Sequence, residues 1–247
     1  MIFVGTSGWQ YASWRGRFYP KGVPQRAWLA HYATHFPVVE VNNSFYVLPK
    51  ESTFDRWRQE SPGRFLFVVK ASRYITHIRR LRNAKDSVDR FWSRAARLGE
   101  KLGPVLFQLP PNFRADAGVL NEFLAVLPVP MRAAFEFRDD SWKRDEVYEL
   151  LDRAGAAWVM ADRPGWRVPT IVTGGWSYLR FHQGRRTHPG YARSKLRAWA
   201  DRIAGLDARD VFAFFNNDAS AAAPKDARTL MDLLLDKGQD VALPQGG

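Results

Sequence analysis

Apolar runs of strand length recur along the chain at 2–8 (IFVGTSG), 38–43 (VVEVNN), 65–72 (FLFVVKAS), 105–109 (VLFQL), 133–138 (AAFEFR), 157–162 (AWVMAD), 177–182 (SYLRFH) and 211–218 (VFAFFNND). Each ends in, or runs straight into, polar residues. Runs of this length rich in Val, Phe and Ala read as strands buried on both faces. The intervening segments read as helices. The first, over 25–34, begins after Pro24 at a first-turn position. A second follows Pro49, with Ser52 or Thr53 placed to cap it. A third over 86–101 stops before Gly103 and Pro104, and a fourth over 117–127 stops at Pro128. Further helices are predicted over 145–154, 192–204 and 222–237. The sixth connection, RPGWRVPTIVTGG, offers no helix and reads as irregular. Strands alternating with helices predict βαβ units and a parallel sheet. Eight such units in 247 residues fit an α/β fold, a single-domain (β/α)8 TIM-type barrel over 1–247 with a flexible tail over about 237–247.

Alternation within the strands sharpens this picture. On 133–138, Ala134, Glu136 and Arg138 share one face and Ala133, Phe135 and Phe137 the other. The aromatic face belongs against helices, so Glu136 and Arg138 point into the barrel. The same parity places Glu40, Asn42, Lys70, Gln108, Asp162, Arg180 and His182 inward. On the last strand, either Asn216 with Asp218, or Asn217, faces the lumen. The barrel's carboxyl-terminal mouth, where such folds carry their active sites, then holds three acids against three bases with His182 beside them. One reading is a structural ion-pair network, because buried charges must be paired. The other is a binding site for a polar, anionic ligand, because aliphatic residues could fill the same space at equal or lower cost.

Composition changes the picture in three places. The chain has no cysteine, which excludes a disulfide framework and any thiolate nucleophile or metal ligand. No stretch approaches a membrane span and the first residues lack a signal-peptide pattern, so a soluble, cytoplasmic protein is expected. The formal charge of +12 invites a polyanionic partner, and Arg73, Arg79, Arg80 and Arg82 cluster in the loop after the third strand as a candidate nucleic-acid contact. The competing reading is genome composition, since Arg outnumbers Lys and Ala-rich helices accompany it.

Several segments carry a resemblance: GTSGWQYASW (5–14), VEVNNSFY (39–46), FVVKASRYITH (67–77), LGPVLFQLPPNF (102–113), FEFRDDSW (135–142), YLRFHQG (178–184) and FAFFNND (212–218). In these, and in their order, the chain resembles the bacterial and archaeal DUF72 family, also called YecE-like. The resemblance implies a TIM-type barrel. It marks residues without naming their chemistry, because the family's reaction is not established. Gln183 stands where family members often have glycine.

The marked residues admit several mechanisms. Glu40 and Glu136 could work as an acid–base pair if their surroundings split their pKa values. Trp9, Tyr11, Trp14, Tyr46 and Trp142 follow strand ends and could form a stacking floor for a sugar or base, or simply pack. His182 could transfer protons, or join Glu40, Glu136 and Asp162 around a divalent metal. A multi-histidine zinc centre is disfavoured: of five histidines, His31 and His35 fall on the first helix and His188 in a loop, leaving His77 and His182 well placed. Lys70 could form a Schiff base if desolvated, pair with Glu40, or hold a phosphate; the cationic surroundings favour the last. Asn216 and Asn217 could orient a ligand's hydroxyls. The expected protein is an enzyme of hydrolase or isomerase type acting on a sugar phosphate, nucleotide or nucleic-acid fragment. The alternative is a non-catalytic nucleic-acid or nucleotide binder on a barrel scaffold.

Overall fold

In the computed structural model, which describes residues 1–182 and 189–245, eight parallel strands close into a barrel in chain order. They are β1 (Ile2–Ser7), β2 (Val38–Val41), β3 (Leu66–Lys70), β4 (Leu102–Gln108), β5 (Ala133–Glu136), β6 (Ala157–Asp162), β7 (Ser177–Phe181) and β8 (Val211–Phe215). The surrounding helices are α1 (Trp28–Ala33), α2 (Asn43–Tyr46), α3 (Glu51–Glu60), α4 (Lys85–Ala95), α5 (Ala117–Ala125), α6 (Asp145–Arg153), α7 (Arg193–Ala204) and α8 (Ala222–Leu235). Gln183, His188 and the final two glycines lie outside the described residues.

Side-chain parity builds the core. Val38, Val68, Leu106, Ala134, Ala157, Val159, Tyr178, Phe212 and Phe214 fill the lower barrel, while Val39, Phe67, Phe107, Phe135, Trp158, Leu179 and Phe215 face the helices. Gly5 on β1 lies so close to β2 that a Cβ would overlap the Val38 carbonyl oxygen, so no larger residue fits there. The β6–β7 connection carries no helix, as its sequence predicts. Instead, the Thr173 hydroxyl donates to the Ala156 carbonyl and accepts from the Trp158 amide, while Trp176 Nε1 donates to the Gly155 carbonyl.

Three expectations need correction. The third helix is α-helical only to Ala95 and runs on as a 3-10 segment to Lys101 that is broken at Gly99, whose φ is +59°. The helix after Pro49 starts from Lys50 with no side-chain cap, so neither Ser52 nor Thr53 plays that part. The segment expected to form a free tail is tied down to residue 245. Val241, 7% exposed, bridges Ile2, and Gln245 accepts from the Arg64 amide. A buried apolar side chain and backbone bonds to β1 outweigh the entropy of a free end.

Candidate functional site

One polar layer caps the apolar barrel. At its centre, Arg180 from β7 donates through Nη2 to Glu40 Oε1 at 2.7 Å, and through Nη1 to Glu136 Oε2 at 2.5 Å and Gln108 Oε1 at 3.2 Å. Arg138, two residues beyond Glu136, closes Nε and Nη2 onto Glu136 Oε1 at 2.7 and 2.6 Å. The Tyr178 hydroxyl, one inward position below Arg180, donates to Glu40 Oε2 at 2.5 Å. Both carboxylates are fully buried and Arg180 is 1% exposed. A guanidinium suits this position because its charge is permanent and its planar fork can serve two acceptors at once.

The electrostatics follow from that geometry. Burial pushes both carboxyls upward. For Glu40, Arg180 and the hydroxyls of Tyr178 and Ser7 outweigh burial and hold the group below its ordinary value. For Glu136, Arg180, His182 and Arg138 hold it well below. The expected split into a base and a raised acid is therefore absent: each carboxylate is ionised and engaged by a guanidinium, so neither is free to be a general acid at neutral pH. Because both folded-state values lie beneath the ordinary 4.5, the stability they contribute is complete above that value and is lost as pH falls below it. Urea titrations from pH 7 to pH 3 should thus show stability falling most steeply below pH 4.5, and Glu136→Gln should flatten that acid limb. An unchanged limb in the variant would contradict the assignment.

Lys70 stands apart. It ends β3 pointing inward and is 8% exposed, yet no carboxylate lies within ion-pair distance of it among the described residues. Its Nζ donates to the neutral Gln108 Oε1 at 2.9 Å and sits 4.0 Å above the Phe45 ring. Burial, with Arg180 and Arg138 opposing Glu136 and Glu40, brings its pKa down to about 8. The alternative pairing with Glu40 is not formed, because Arg180 and Tyr178 occupy both Glu40 oxygens.

Two histidines flank this layer. His182 Nε2 lies 3.3 Å from Glu136 Oε1, and Asn216 Nδ2 lies 3.2 Å from His182 Nδ1. An amide nitrogen only donates, so Nδ1 accepts and the ring proton sits on Nε2, which is buried and makes no hydrogen bond of good geometry. Burial keeps His182 below its ordinary pKa despite Glu136. His77, on the turn Tyr74–Ile78, meets the Phe45 ring edge-on at 5.0 Å, with Thr76 Oγ1 at 2.9 Å from its Nδ1. Burial and the neighbouring Lys70 lower its pKa. Nearby, a cleft of about 200 Å³ is lined by Gly8, Tyr11 and Asn42 among others. Asn42 Oδ1 is buried there without a hydrogen bond, and the Tyr11 hydroxyl donates to the Ser7 carbonyl at 2.5 Å.

Other predicted residues lie elsewhere. Asp162 has the parity of Trp158 and Met160, so it faces the helix layer, where it pairs with Lys195 at 2.8 Å and accepts from Trp199 Nε1 at 3.3 Å. Asn217 also turns outward, donating to Pro189 O and Asp226 Oδ2 at 2.7 Å, while Asn216 takes the inward place. The aromatic floor does not form. Trp9 packs on Trp57 and Phe67, while Trp14 and Trp142 are fully buried with their indole N–H groups on the carbonyls of Asp218 and Phe113. Tyr46 stands 71% exposed on the rim. With Asp162 outside the barrel and Arg180 between Glu40 and Glu136, the suggested metal ligands do not converge. No set of three or more such groups does among the described residues. Tyr178 and Phe45 were missed by sequence reasoning. The parity that finds Arg180 also finds Tyr178, whereas Phe45 lies on the single-turn helix α2, too short to give a periodic signal.

The profile of the family described as protein of unknown function DUF72 matches residues 3–246. The chain belongs to the DUF72 family. Among its relatives, the UPF0759 protein YunF of Bacillus subtilis is 28% identical, with 95% of each chain covered. The UPF0759 protein YecE of Escherichia coli is 32% identical over 155 residues, which are 62% of this chain and 54% of that one. The crystal structure of a DUF72 family protein from Thermotoga maritima matches with a TM-score of 0.86 at 27% identity, covering 95% of this chain and 99% of that one. A DUF72 family protein from Enterococcus faecalis shares the fold, with a TM-score of 0.80 at 21% identity over 95% of this chain and 96% of that one. The DUF72 barrel thus frames this mouth, and the family description assigns it no chemistry. No helix among the described residues is long and apolar enough to cross a membrane.

Proposed function

We propose that this protein is an enzyme whose barrel mouth takes a small, polar, anionic ligand of the sugar-phosphate or nucleotide kind. One observation carries the reading: two carboxylates are matched by two guanidiniums, and Lys70 is left over as a buried cation with only a neutral acceptor. An unmatched buried charge is costly, and a structural network has no need of it. A ligand phosphate or carboxylate would complete the balance. With both glutamates engaged, proton transfer falls to Lys70 and the neutral histidines, which favours isomerase-type chemistry over a two-carboxylate hydrolysis.

Calorimetric titration with inorganic phosphate and hexose phosphates tests this. Wild-type protein should bind, and Lys70→Met should weaken binding at least about tenfold, as loss of a charged hydrogen bond does. Equal binding by both proteins would sink the reading.

A second reading has its own observation. Tyr46, Val47, Tyr74 and Ile78 are 71%, 74%, 47% and 60% exposed on two neighbouring mouth loops, beside Arg73 and Arg79. Stacking side chains among arginines suit a single-stranded nucleic acid. Arg82 and Arg80 are partly spent, on Asp116 at 2.8 Å and on Asn112 at 3.2 Å. Affinity for an oligonucleotide that falls steeply with salt and depends on Arg73 and Arg79 would favour this alternative.

A further inference from the structure

We propose that Lys70 is a covalent nucleophile, condensing through Nζ with the aldehyde or ketone carbonyl of a small anionic substrate. This rests on reading the mouth as a small-molecule site and goes further, because it names the substrate's reactive group.

Geometry is the first support. Lys70 is the last residue of β3, inward-facing at the end of the barrel where ligands enter, and it is buried but not sealed. A nucleophilic amine must shed its proton, and a carboxylate partner would hold that proton in place. Lys70 has none within ion-pair distance, although Glu40 and Glu136 lie in the same layer, because Arg180 and Arg138 have claimed both. Its acceptor is an amide oxygen already shared with Arg180. The Phe45 ring walls the amine on one side and excludes water there.

The charges around Lys70 act in the same direction. Facing it are Arg180 from β7, Arg138 beyond β5, Glu40 from β2, Glu136 from β5 and His77 from the β3–α4 loop. With a pKa of about 8, roughly a tenth of the amine is free base at pH 7. That fraction is ample for attack. By contrast, Lys101, the other well-buried lysine, spends its donors on the carbonyls of Arg58 and Ser61 at 2.6 and 2.7 Å, as a structural ammonium does.

The step balances without a further reactant. The amine lone pair forms a C–N bond to the carbonyl carbon, and the carbonyl oxygen takes a proton to give a carbinolamine. Expulsion of that oxygen as water, with a second proton, leaves an iminium on Nζ. Starting from the ammonium, one carbonyl is consumed and one water released, and the positive charge is conserved. The Arg180–Glu40–Glu136–Arg138 network therefore meets the same net charge before and after condensation. Gln108 Oε1 can accept from the iminium N–H as it does from the ammonium.

Reductive trapping decides the matter. The full chain is incubated separately with glyoxylate, pyruvate and glyceraldehyde 3-phosphate, each with sodium borohydride, and the adduct is located by peptide mass mapping. Lys70 should be modified at least about tenfold faster than the exposed Lys21 and Lys50, as expected of a lysine with a depressed pKa. The rate should rise with pH through a midpoint near 8. Inorganic phosphate should compete, and Lys70→Arg should bind phosphate yet lose the fast adduct, leaving only the slow background on exposed lysines such as Lys21 and Lys50. If Lys70 reacts no faster than Lys21 and Lys50 with all three probes while phosphate still binds, the amine is a charge only: this inference fails and the anion-site reading stands. If neither adduct nor phosphate binding is found, both fail. The wild-type map is decisive even if a variant does not fold.

Discussion

Replacing Arg180 with methionine should cost roughly 3–5 kcal/mol of folding stability, the range for removing one partner of a buried ionic cluster. Arg180 reaches three acceptors, on Glu40, Glu136 and Gln108. Without it, Glu136 keeps Arg138 but Glu40 is left fully buried with neutral hydroxyls only, the Tyr178 O–H foremost. Glu40 would then take up a proton, and its pKa would move above the ordinary 4.5 instead of below it. The deficit relative to wild type should consequently shrink as pH falls toward 4, and Glu40→Gln in the Arg180→Met background should recover part of the loss. Chemical denaturation of the four proteins in a double-mutant cycle measures both effects. A deficit under about 1 kcal/mol for Arg180→Met would mean the network is solvated and the burial argument fails.

Lys70→Met should have the opposite sign. Methionine keeps most of the length and the contact with Phe45 while removing a buried charge. Near neutral pH the variant should be roughly 1–3 kcal/mol more stable, after allowance for the lost bond to Gln108 and the lost contact with the ring face. The pH dependence follows from a folded pKa of about 8 against an ordinary 10.5. Below pH 8 both folded and unfolded chains carry the proton and the full cost is present. Between 8 and 10.5 the folded chain releases it first and wild-type stability recovers. The advantage of methionine should therefore be largest below pH 8 and fade toward pH 10.5. Stability gained where phosphate binding is lost is the usual sign of a residue kept for function. A Lys70→Met protein less stable than wild type would show that the ammonium is structural.

Much of this was legible in the sequence. Continuous apolar runs of strand length gave all the strands, and parity within them put Glu40, Lys70, Gln108, Glu136 and Arg180 into one layer. Parity failed at Asp162, where Ala157 and Val159 point inward and the strand's last residue therefore points out. It left Asn216 and Asn217 undecided until the phase of Phe212 and Phe214 was known. The tryptophans misled for a different reason. A strand-end aromatic can cover the barrel's outside as readily as its mouth, and only the carbonyl that meets each indole N–H tells the two apart. Nor could sequence divide three bases between two acids. That outcome depends on which side chain reaches first, and a forked guanidinium reaches two carboxylates where an ammonium reaches one.

The reach of that fork has a mechanical side. A single side chain on β7 joins β2, β4 and β5 across the lumen. Hydrophobic layers can loosen one strand at a time, but a strut shared by four strands couples them, so that releasing any one strips partners from the rest. Amides on those strands should therefore exchange with solvent only through global unfolding. The floor of the mouth is rigid by construction, and whatever adjusts to an incoming ligand must belong to the loops above it.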